Sequence, residues 1–103
     1  MSPPQPPGKH PLDPAGAIIR SVASRMARRL AGRPLPVGAL SSVMELTEND
    51  ETEMAMDEIG RVIEYYRLPV LRAEYGELLL AAEQLDSLDS LTDTGVERFV
   101  VDG

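Results

Sequence analysis

The chain offers little with which to make or break covalent bonds. Its one imidazole is His10, and it has no cysteine. A hydroxyl nucleophile needs a base held beside it, and Ser41 and Ser42 have no candidate activator. No phosphate-cradling glycine loop, dinucleotide glycine pattern, HExxH helix or EF-hand loop occurs. The densest set of possible metal ligands is the carboxylate run Glu48, Asp50, Glu51, Glu53, Asp57 and Glu58. Magnesium and calcium do take oxygen ligands, but the Asp-x-Asp-x-Asp-Gly spacing of a dedicated loop is missing. The expectation is no enzyme: no catalytic residue, no metal and no cofactor.

A different constellation suits binding. On a helix whose core direction is set by Ile59, the residues Met54, Glu58, Arg61 and Tyr65 project to the opposite side. Only one of two adjacent tyrosines can enter a core. Tyr66 fits the buried stripe, which leaves Tyr65 exposed with Met54 among carboxylates. An exposed aromatic ringed by charge has the composition of a protein-binding hot spot, since tyrosine buries a large rigid area and keeps a polar contact. The plainer alternative is a ring lying along its neighbours. Gly60 costs about 1 kcal/mol against alanine in a helix, which points to close approach by another helix or a ligand.

These residues must be positioned by two amphipathic helices within Asp50 to Leu88, joined at a Leu68-Pro69 corner. Asp50 and Glu53 give the first a capping-box-like start. Ala55, Ile59, Val62, Ile63 and Tyr66 form its apolar face, and Pro69 stops it at about Arg67 or Leu68. Leu71, Tyr75, Leu78, Ala82 and Leu85 form the stripe of the second, widened by Leu79. Upstream, Asp13-Pro14 reads as an N-cap followed by proline at the first helical position. A helix follows over 14–31, with Ala15, Ile18, Ile19, Val22, Met26 and Leu30 on one side and Gly32 ending it. Arg33 to Pro36 reads as a stiff loop, and a short helix runs from about Val37 to Thr47.

The expected fold class is therefore all-α: a small antiparallel bundle of about four helices over residues 13–91. The five prolines of MSPPQPPGKHPL mark 1–12 as a disordered or polyproline-like tail, with a PxxP match at Pro3 to Pro6. After Leu85 the pattern loosens through DSLDSLTDTG, with a turn at Thr92 to Gly95. Residues 92–103 read as an extended tail that docks Phe99 or stays disordered, because an isolated strand needs a partner edge.

Charge is uneven. The 103 residues carry a net −7, but residues 1–40 hold six cations against Asp13 while residues 41–103 hold four arginines against sixteen acids. Solvated faces and a basic helix lying on acidic ones explain this without any partner. An acidic surface matched to a basic partner also explains it, with complementary potentials raising association rate. The Arg-rich helix itself has three readings: a core helix, a contact to nucleic acid or an anionic membrane, or an extension that orders on a partner. No interleaved aromatic, no recognisable motif and an acidic total argue against nucleic acid. No run approaches the roughly 18 apolar residues of a membrane span, and prolines stand where a signal peptide would have its apolar segment. The expected location is cytoplasmic.

The segment VMELTENDETEMAMDEIGRVIEYYRLPVLRAEYGELLLAAEQL has an acidic turn, then Ala-Met-Asp-Glu-Ile, a Leu-Pro corner, and Glu-Tyr before a leucine-rich helix. In this it resembles the MafI-like family of small immunity proteins from polymorphic toxin systems. The resemblance implies a small helical protein made beside a toxin, binding it tightly and blocking it. Joined to the residue pattern, it gives a non-enzymatic inhibitor whose partner is a cognate protein toxin, a basic nuclease being the type its charge would suit. No small-molecule substrate is expected. Glu48, Glu51, Asp57, Glu58 and Tyr65 are the expected partner-binding residues. The alternative is an oligomeric antitoxin-like regulator or adaptor whose basic helix, Arg20 to Arg33, contacts nucleic acid.

Overall fold

The computed structural model describes residues 13–102. The expected Pro-rich tail at 1–12, with His10, lies outside the described residues. The chain is mostly helical: α1 (Pro14–Arg29), α2 (Pro34–Glu48), α3 (Thr52–Tyr66), α4 (Arg72–Gln84) and α5 (Asp89–Thr92). One 3-10 turn, Val96–Phe99, follows α5. Two short strands, β1 (Val70–Leu71) and β2 (Val100–Val101), pair in parallel with Val70 opposite Val100 and Leu71 opposite Val101.

Asp13 starts α1, its Oδ1 accepting the Gly16 amide at 2.6 Å, and its other carboxylate oxygen accepts the Thr52 hydroxyl at 3.1 Å. One side chain thus ties the beginnings of α1 and α3 together. The first correction concerns residues 33–36. They are not a loop beyond Arg33, because α2 begins at Pro34 and takes in Pro36. Amides of a first helical turn have no partner within the helix, so two prolines there forfeit nothing.

Three helices close in the same way. After α2 the Glu51 amide reaches back to the Leu46 carbonyl, after α3 Leu68 reaches Ile63, and after α4 Ser87 reaches Ala82. Each closure needs one residue in the left-handed region, and these are Asp50, Arg67 and Asp86, with φ of 63°, 53° and 54°. That geometry usually recruits glycine. It also overturns the expected capping box: Asp50 is used to leave α2, Glu51 stands at the N-cap of α3, and no side chain caps that helix.

The core joins Ile19, Met26, Leu40, Met56, Ile59, Ile63, Leu68, Leu78 and Leu91, all fully or almost fully buried. α1 packs on α2 and α4, and α2 packs on α3. The basic helix is therefore a core helix among the readings open to it. The C-terminal stretch is also built in, through buried Leu91 and Val96. Residues 92–103 are thus not simply extended: β2 finds its edge in the two residues just after the Leu-Pro corner, which the all-α expectation had assigned to no strand. Gly60 permits this. A Cβ there would stand 2.6 Å from the Ser90 carbonyl oxygen and 2.9 Å from Thr94 Oγ1, so the approach at Gly60 is made by the chain's own α5 and the turn after it.

Candidate partner-binding surface

On α3 the residues Met54, Glu58, Arg61 and Tyr65 follow at intervals of four, three and four, and none is buried. Tyr65 is 79% exposed and Met54 57%. The Tyr65 ring stands edge-on to Tyr66, centroids 4.8 Å apart and planes at 82°, an arrangement that aromatic pairs favour. Tyr66 is half-buried and packs against the core. A groove of about 260 Å3 runs beside the pair, lined by Ala39, Glu58, Arg61, Val62 and both tyrosines. On the other side of Tyr66 lies a second groove with Arg33, Pro34, Leu35 and Pro36, and Leu35 is 71% exposed.

The five expected binding residues do not share one patch. Tyr65 and Glu58 line the same groove. Glu58 meets Arg61 at 3.9 Å, an exposed pair one turn apart. Asp57 accepts the Ser90 hydroxyl at 2.6 Å and lies 3.7 Å from Arg61, so it helps hold α5 to α3. Glu51 lies fourteen residues before Tyr65, about 21 Å along a helix at 1.5 Å per residue. It lines a separate cleft of about 320 Å3 with Asp50, Glu53, Met54 and Leu85. Glu48, at the end of α2, is engaged by Arg20 of α1. Among the described residues Asp50, Glu51 and Glu53 enter no ion pair.

The arginines of α1 are largely engaged as well. Arg25 makes two 2.8 Å hydrogen bonds to Glu77. Arg29 donates to both oxygens of Glu74 at 2.6 and 2.7 Å and to the Pro69 carbonyl at 3.4 Å. Glu74 is fully buried and also accepts the Leu71 amide at 3.0 Å. Burial alone pushes this carboxyl upward. The hydrogen bonds from Arg29 and the Leu71 amide, with the charges of Arg29 and Arg25, outweigh it and hold Glu74 below its ordinary value. Arg29 is raised in turn, chiefly by its hydrogen bond to Glu74. The nucleic-acid alternative had counted these arginines as available; Arg29 is committed to a buried carboxylate, whereas Arg20 and Arg25 are paired at the surface.

Sequence reasoning missed Glu74. A signal was present: Leu71, Glu74, Leu78 and Ala82 are spaced three, four and four, which places the carboxylate on the buried stripe. Among the described residues no three of histidine, cysteine, aspartate and glutamate converge as metal ligands, and no helix is long and apolar enough to cross a membrane. What the outward side of α3 offers is a held aromatic, two shallow grooves and mixed charge, which suits recognition of another macromolecule. Comparison with family models, with curated proteins and with solved structures gives no match for this chain.

Proposed function

We propose that this protein is a cytoplasmic, non-enzymatic immunity protein of the MafI-like kind, whose antiparallel helices present the outward side of α3 to a cognate protein toxin and occlude it. The observation that carries the reading is Tyr65, 79% exposed yet held edge-on by Tyr66 beside Glu58 and Arg61. A rigid, amphipathic side chain that loses little freedom on contact is the usual anchor of a protein interface. Around the start of the same helix, Asp50, Glu51 and Glu53 add three carboxylates that enter no ion pair among the described residues. Complementary charge raises the rate of capture more than its final strength, so a basic toxin such as a nuclease fits this division of labour.

The reading requires that the neighbouring reading frame encode a toxin domain, and the test is co-expression with that domain. Cells making both should grow, and growth should fail when Tyr65→Ala replaces the wild type at equal abundance. The capture rate measured with purified proteins should fall steeply between about 0.01 and 1 M salt, as the reach of a charge contracts from about 30 to 3 Å. Rescue by the Tyr65→Ala variant as full as by wild type would remove the reading's support.

A further inference from the structure

Two features at opposite ends of the molecule are complementary to each other. The first is a groove of about 430 Å3 where α1 turns into α2, with Ala27, Ala31, Pro34 and Val37 as its apolar lining and Arg28 and Arg33 at its rim. Neither arginine enters an ion pair among the described residues; Arg28 donates only to Ser24. The second is the corner between α4 and α5, where Leu88, 45% exposed, stands between the exposed Asp86 and Asp89. Neither aspartate enters an ion pair among the described residues. An apolar knob flanked by two carboxylates faces the solvent at one end, and an apolar slot flanked by two guanidinium groups lies at the other.

The knob cannot enter the slot of its own chain. Arg29, next to the slot, is fixed to Glu74 at the start of α4, and Asp86 lies twelve residues further on, about 18 Å away along that helix. We infer that the occupant is a second copy, the Asp86 to Asp89 corner of one molecule seating Leu88 between Arg28 and Arg33 of the next. The net charge of −7 makes two copies repel in most orientations. The slot end is where free cations gather, so association is directed there. Because the two surfaces differ, the contact is head-to-tail and each added copy leaves one slot and one knob open. Neither surface includes Tyr65 or Glu58, on which the toxin reading rests, although Arg33 and Pro34 also line the groove beside Tyr66.

Sedimentation of the full chain tests it. At about 0.01 M salt the average mass of the wild type should climb with protein concentration without a plateau at dimer, and at about 1 M it should return to monomer. Arg28→Ser with Arg33→Ser removes the slot, and Leu88→Ser with Asp89→Ser removes the knob. All four positions are exposed, and each double variant should keep the wild-type circular dichroism. Each alone should stay monomeric. Mixed, they should form a one-to-one dimer and nothing larger, because one supplies the only working knob and the other the only working slot. A wild type that stays monomeric at low salt, a double variant that still assembles alone, or a mixture without the dimer would each overturn the inference.

Discussion

Two of the places where arginine and glutamate meet in this molecule do opposite work. Where α1 crosses the start of α4, Arg29 grips a fully buried Glu74 with two short hydrogen bonds. On the outward side of α3, Arg61 only hovers near Asp57 and Glu58, at 3.7 and 3.9 Å, and all three face solvent. Burial makes the difference. A carboxylate removed from water is tolerable only while every oxygen is satisfied, so the first pair is part of the scaffold. The second is screened and weakly held, which leaves Arg61 and Glu58 free to be re-paired by another molecule, while Asp57 stays bonded to Ser90.

The sharpest way to break this comparison is to delete one arginine from each place. Arg29→Ala strands a buried charge and should cost about 3 kcal/mol in denaturant unfolding. Arg61→Ala should change stability by no more than about 0.5 kcal/mol. Equal losses would erase the distinction. Next in size is Gly60→Ala, which thrusts a methyl group against the Ser90 carbonyl and should destabilise by about 1–3 kcal/mol. Helix propensity alone favours alanine there by about 1 kcal/mol, so a stabilised variant would mean that α5 does not press on α3.

Acid sharpens the contrast further. The Glu74 carboxyl is held below its ordinary value, so the unfolded chain takes up that proton first as pH falls. The stabilisation it provides is present above the ordinary carboxylate range and lost as pH drops through the folded value. Unfolding followed from about pH 7 to about pH 3, a window spanning the ordinary glutamate value, should show the wild type losing stability more steeply than Glu74→Gln. A smaller effect, of opposite sign, is expected at Arg67→Gly. A non-glycine residue in the left-handed region costs about 1 kcal/mol or more, so this variant should gain up to about 1 kcal/mol once the extra flexibility of glycine is offset.

Much of the helical pattern was legible because periodicity reports burial directly. Ile19, Leu40, Ile59 and Leu78 all lie where their stripes place them. Boundaries were legible where a proline marks them, at the start of α1 and the end of α3, and elsewhere were obscured for an identifiable reason. The corners after α2, α3 and α4 use Asp50, Arg67 and Asp86 in place of glycine, so the usual stop signals are missing, while Pro34 and Pro36 read as breakers in a turn where prolines are harmless. β2 was hidden because its partner is two residues long and about thirty residues away in sequence. Exposure of Tyr65 and Met54 followed from the same helical arithmetic as the core. Which carboxylates are free did not, since pairings such as Arg20 with Glu48 and Ser90 with Asp57 join residues 28 and 33 positions apart.

In the proposed function the outward side of α3 serves contact with a toxin and not stability. Unfolding and toxin dissociation measured side by side on Tyr65→Ala test it most directly. The variant should unfold within about 0.5 kcal/mol of wild type, as an exposed substitution does, and lose about 2 kcal/mol of toxin affinity, as an anchor residue does. A variant that binds as tightly as wild type, or one that loses stability and affinity together, would contradict it.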